Sequence, residues 1–212
     1  MLVGLGLMAV AAGAPATCVA GSSESPQPAE ATSPQAATFG YALFETERGP
    51  QLLGEVPREV ILQHYPEWQE EYDAYEPDSS ATAELAAVAR PVRVLCVLGT
   101  WCSDSAREVP RFWKLLDRMD NERISFRMLA VSRASEADQV AVVMADLGFP
   151  QDIRAAFGVE YVPTFIFWAG DVELGRIIET PAESLEADSA AIASNAPAGD
   201  EPAAAADPDP QD

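Results

Sequence analysis

The sequence predicts an α/β domain between Arg90 and Ser194, with a central mixed four-stranded sheet flanked by helices and a helical and hairpin extension before it over residues 39–89. Three observations predict it. A β-branched run of strand length, a helix with its apolar positions on one side, and a second such run follow one another from Val92 to Val131, a strand–helix–strand unit. Two further apolar runs, Phe165–Trp168 and Val172–Ile178, are joined through Ala169-Gly170-Asp171, a hairpin signal. Helical segments lie between these pairs and after them.

The chain begins with an apolar run, Leu2 to Ala12, too short to span a bilayer comfortably and followed by small residues. It reads as the h-region of a secretory signal, and Ala14-Pro15-Ala16 fits a small-x-small cleavage pattern, although a basic n-region is missing. A leader over residues 1–20 makes the protein exported, periplasmic or otherwise extracytoplasmic; without a working leader it is cytoplasmic. Cys18 follows the h-region as a lipidated cysteine does, but Pro15 and Thr17 stand where a lipobox prefers Leu and Gly or Ala. Membrane attachment is therefore expected only if Cys18 is lipidated. A disordered alanine-rich terminus is the alternative reading. Residues 21–38 read as a flexible Ser/Pro/Ala linker, and residues 195–212 as an acidic Pro/Ala tail unable to bury a core.

Within the extension, Phe39–Thr46 and Gln51–Gly54, separated by Arg48-Gly49-Pro50, read as a short hairpin. Pro57 to Tyr75 has helical spacing, with Val60, Ile61, Tyr65, Trp68 and Tyr72 on one side, and Pro66 splits it in two. His64 lies here with no partner motif and reads as a surface or packing residue. Ser79-Ser80 is expected to cap a helix running through Val88. The extension as a whole is expected to pack on the core.

The core opens with Val92–Leu98 (VRVLCVL), bounded by Pro91 and Gly99. A helix with Val109, Phe112, Trp113, Leu115 and Leu116 on its apolar side leads to the strand Ile124–Val131. Glu136–Leu147 and Gln151–Phe157 read as helices, the second ended by Gly158. After the hairpin, Ser184–Ala193 closes the domain as a helix.

Charge and cysteine content exclude several classes of function. The net charge is −21, with 34 acidic side chains against 13 cationic ones, a balance that repels phosphate backbones and argues for no nucleic-acid partner. Cys18, Cys96 and Cys102 form no Cys-x-x-Cys pair, and His64 is the single histidine, so the usual zinc sites and a disulfide framework are both excluded. No metal and no cofactor is expected.

The strand order, Trp101-Cys102-x-x at the mouth of a helix, and Tyr161-Val162-Pro163-Thr164 before the hairpin together resemble the thioredoxin family. Phe165-Ile166-Phe167, Gly170 and Gly175 extend the likeness, which covers about half the chain. The stretch is similar to a bacterial subgroup with Trp-Cys-Gly-Asp-Ser, here with Ser103 in the glycine position. The resemblance implies a thioredoxin-like fold and an active-site thiol at Cys102. Trp101, Val162 and Pro163 would line the substrate groove, and the Val162–Pro163 bond would be cis beside the thiol. A helix N-terminus suits a thiolate, the nucleophilic form, because free N–H groups and the macrodipole favour an anion there.

The likeness also implies what is missing. A dithiol member has a second cysteine where this chain has Ser105, so Cys102 cannot release a bound substrate by closing an internal disulfide. What remains is a monothiol mode, in which Cys102 holds a mixed disulfide until glutathione or another external thiol resolves it. Ser105 Oγ is expected either to donate a hydrogen bond to the thiolate or simply to cap the helix. Asp104, two residues on, opposes the helix effect unless it turns to solvent. Cys96 stands where the family often has a buried acid and reads as a small core residue, with a hidden resolving thiol as the other possibility. Two functions follow: thiol–disulfide exchange with protein or low-molecular-weight thiols and disulfides through Cys102, or a non-catalytic module binding extended peptides in the proline groove. A third reading treats the domain as mere scaffold for the amino-terminal helices.

Overall fold

The computed structural model describes residues 40–195. The expected leader, the linker, Phe39 and the acidic tail beyond Asn195 lie outside the described residues. In chain order the elements are β1 (Tyr41–Thr46), β2 (Gly49–Glu55), α1 (Arg58–His64), α2 (Trp68–Ala74) and α3 (Ser79–Ala86). There follow β3 (Val92–Leu98), α4 (Ser103–Met119) and β4 (Ile124–Ala130). A 3-10 turn at Ala134–Glu136 leads into α5 (Ala137–Asp146), then α6 (Ile153–Phe157), β5 (Thr164–Ala169), β6 (Val172–Ile178) and α7 (Leu185–Ser194).

The sheet has six strands rather than the expected four, in the order β1-β2-β4-β3-β5-β6. It is mixed but mostly antiparallel, with β3 and β4 the parallel pair. The extra strands are the amino-terminal hairpin, which continues the sheet instead of packing on it. Its β2 meets β4 through Gly54↔Ala130 and Glu55↔Leu129. The reversal falls at Glu47-Arg48, so Gly49 and Pro50, expected in the turn, belong to β2. Pro50 is tolerated there because its neighbour β1 is the edge strand and the missing N–H breaks no central ladder.

Strand alternation sorts the apolar residues onto two covered faces. Val94, Cys96 and Leu98 of β3, Met128 and Ala130 of β4, and Phe165 and Phe167 of β5 join α4 and α7 in one core. Phe112 of α4 centres it, 4.8 Å from both the Phe126 and Phe165 rings. Val97, Leu129 and Ile166 point the other way, into a second core with Val140 and Met144 of α5 and Ile153 of α6. Burial on both faces explains why β3 reads as a nearly unbroken apolar run.

Local signals account for most element ends. Pro66 separates α1 from α2, and Gly158 ends α6 in the left-handed conformation (φ 60°). The cap of α3 is Asp78, not the expected Ser79-Ser80: its carboxylate accepts from Ser80 N–H at 3.0 Å and Ala81 N–H at 2.9 Å.

Candidate functional site

At the end of β3 the chain turns through Gly99, Thr100 and Trp101 into α4, which makes Cys102 the N-cap of a 17-residue helix. Cys102 N–H donates to Gly99 O at 2.9 Å and closes the turn. The Cys102 side chain caps no helix N–H. Instead its half-buried free thiol donates to Val162 O at 3.1 Å. The Val162–Pro163 bond is cis, and the proline loop lies against the sulfur, both as the resemblance implies. Two further bonds hold that loop: Thr164 Oγ1 donates to Tyr161 O, and Glu179 N–H to Pro163 O, each at 2.7 Å. Tyr161 stands exposed beside it.

Trp101 folds back over the turn, and its Nε1–H donates to Val131 O at 3.0 Å. This placement explains Gly99. A Cβ there would lie 2.6 Å from Cε2 of Trp101, closer than two carbons can approach. Gly99→Ala is therefore expected to destabilise the fold by about 1–3 kcal/mol, the usual cost of overpacking. In a Trp101→Ala background the same substitution should cost far less, and urea denaturation of the four-member cycle measures the difference.

The remaining motif residues fall into distinct roles. Ser103 is exposed at the first turn of α4. Asp104 pairs with Arg107 at 2.9 Å, so its carboxylate is turned along the helix and partly compensated. Ser105 is fully buried, and its Oγ accepts from Gly99 N–H at 3.2 Å. No hydrogen bond joins Ser105 to the Cys102 sulfur. Through its bond to Gly99 N–H, Ser105 braces the turn before α4. Cys96 is wholly buried, and desolvation pushes its thiol well above the ordinary range. It belongs to the core on the α4 side of the sheet, whereas Cys102 packs against the other core. The hidden-resolving-thiol reading of Cys96 has no geometric basis.

Several residues at this site carried no motif. Thr100 Oγ1 accepts from Leu52 N–H at 3.1 Å and ties β2 to the turn before α4. Gln51 Nε2 donates to the buried Glu136 carboxylate at 2.6 Å, and Gln51 Oε1 accepts from Arg133 N–H at 3.3 Å. The guanidinium carbons of Arg133 and Arg154 lie 5.0 and 5.9 Å from the Trp101 ring centroid. The buried, Leu-Leu-containing stretch Gln51–Gly54 is a sequence signal for the first contact. Nothing in the sequence marks the two arginines, Arg133 from the loop after β4 and Arg154 from α6. Among the described residues no group of three or more His, Cys, Asp or Glu side chains is placed to hold a metal ion, and no helix is long and apolar enough to cross a membrane.

No family model and no curated protein matches the chain. Among solved structures it is similar to a Pseudomonas aeruginosa protein of unknown function, over 67% of this chain and 91% of that one, at 15% identity and a TM-score of 0.46. It is also similar to an HIV epitope scaffold, over 66% of this chain and 82% of that one, at 16% identity and a TM-score of 0.42.

Proposed function

We propose that the described region is a thioredoxin-like domain and that the protein is a monothiol thiol–disulfide exchange protein acting through Cys102. One observation carries the reading: a half-buried free thiol at the N-cap of a 17-residue helix, 3.1 Å from the carbonyl that precedes a cis-proline. The helix end supplies unpaired N–H groups and the positive end of the macrodipole where the sulfur needs to bear charge. The proline loop offers backbone beside the sulfur, and the exposed Tyr161 ring borders it. In the exchange step the Cys102 thiolate attacks one sulfur of a disulfide, the Cys102 S–S bond forms, and the other sulfur leaves as a thiolate. Ser105 provides no second thiol, so the adduct waits for an external thiol.

Incubation with oxidised glutathione, followed by intact-mass measurement and peptide mapping, tests this. With Cys18 replaced by alanine, the expected product carries one glutathione, on Cys102, removable by added thiol. A thiol that stays unmodified where an ordinary exposed cysteine is modified would favour the second reading, a peptide-binding module, which the serine at position 105 supports. Export through the residue 1–20 leader remains part of the proposal, as the compartment in which such exchange would operate.

A further inference from the structure

Several arginines in this chain of net charge −21 are paired closely with carboxylates. Arg58, Arg107, Arg111, Arg127 and Arg176 each meet a carboxylate at 2.6–2.9 Å. Arg133 and Arg154, which flank Trp101 beside the thiol, are different. Arg154 donates to two neutral carbonyls, Glu160 O at 2.9 Å and Ser132 O at 3.2 Å, and its buried Nε has no partner. Arg133 Nη1 also lacks a hydrogen bond, and its ion pair with Glu136 is stretched to 3.9 Å. The neighbouring carboxylates are occupied by the fold: Glu136 Oε2 accepts from Gln51 at 2.6 Å, and Asp152 Oδ1 caps α6 through Ala155 N–H at 3.0 Å. Burial lowers the Arg154 guanidinium from its ordinary range, opposed by the negative charge of Asp152. Among the described residues, neither guanidinium meets a carboxylate within 3.5 Å, so its charge is left largely uncompensated. Two such guanidinium groups around one indole, next to a nucleophile, suit a carboxylate.

We propose that Arg133 and Arg154 form a carboxylate-recognition element beside Cys102, and that the disulfide exchanged there is a small molecule bearing a carboxylate near its reactive sulfur. This rests on the exchange reading. The chemistry is unchanged: Cys102 takes one half of the disulfide, and the other half departs as a thiolate. The arginines add charge and a planar donor fork that hold the acid in place. Neutral and cationic disulfides gain nothing from them.

The test follows Cys102 modification in the full chain with three disulfides: dithiobis(nitrobenzoate), which is anionic, dithiodipyridine, which is neutral, and cystamine, which is cationic. The expected result is that Arg133→Gln and Arg154→Gln each lower the anionic-to-neutral rate ratio roughly three- to tenfold, as loss of one charge-assisted contact implies. Lysine at either position should restore part of it. A ratio that stays at the wild-type value in both variants would overturn the proposal and leave the arginines as packing for Trp101. Should Arg154→Gln fail to fold, Arg133→Gln still decides: an anionic-to-neutral ratio at the wild-type value in that variant would overturn the assignment. Silence of wild-type Cys102 toward all three probes would instead overturn exchange itself, and the carboxylate element with it.

Discussion

In a Cys18→Ala background, Cys102→Ser is expected to abolish the mixed disulfide with oxidised glutathione completely, whereas Cys96→Ala is expected to leave it at wild-type occupancy. The two thiols differ in everything that decides reactivity. Cys102 is half-buried at a helix N-cap, with its sulfur against an open loop. Cys96 has no exposed surface, pairs with Met128 and Phe165 in the sheet register, and is held neutral by desolvation. Alanine at position 96 removes one buried sulfur, which costs stability through a small cavity but does not touch the site. Mass spectrometry of the three proteins after identical treatment checks both halves. An adduct that survived in Cys102→Ser, or vanished in Cys96→Ala with the fold intact, would move the chemistry to the wrong face of the sheet.

Ser105→Cys is expected to convert a slow, adduct-forming thiol into a turnover-competent dithiol. Position 102 is the N-cap and position 105 lies one turn inside α4, a separation that a disulfide can span without moving the backbone. A thiol at 105 would replace the hydroxyl that now accepts from Gly99 N–H at 3.2 Å. Sulfur is the weaker acceptor, so a cost of about 1 kcal/mol in stability is expected. In return, release of the bound substrate becomes intramolecular, and insulin-type disulfide reduction should rise on the order of tenfold or more above wild type. A turbidity assay with dithiothreitol as the terminal reductant reads the difference. No gain in a folded variant would mean that the geometry of this turn does not support attack on the Cys102 sulfur.

The elements that could be read from the sequence are those whose signals are local. The ends of β3 follow from Pro91 and Gly99, and the C-terminal end of α6 from Gly158, because caps and turns act within a few residues. The cis bond and the proximity of the proline loop to Cys102 were legible only through a family likeness, since nothing in the composition of Tyr161–Thr164 specifies a partner sixty residues away. The six-stranded sheet was not legible. Pairing of β2 with β4 rests on two residue pairs far apart in the chain, and a short hairpin has the same alternation whether it packs on a sheet or extends it. The hydrogen-bond partner of Ser105 was not legible for a related reason. A serine at the third position of a helix suggests capping, whereas burial under the turn leaves Gly99 N–H as its partner. Arg133 and Arg154 gave no signal because a loop residue and a residue of α6 meet over one indole only once the chain is folded.

The most direct test of the account is the rate at which Cys102 of the native full-length chain exchanges with a neutral small disulfide, set against an unstructured peptide containing the same Trp-Cys-Ser-Asp-Ser sequence at the same pH. Placement at the N-cap of α4, beside the Val162 carbonyl, predicts faster exchange in the folded protein, with the advantage lost on unfolding in urea. Equal or slower exchange in the folded protein would contradict the claim that this fold makes Cys102 a nucleophile.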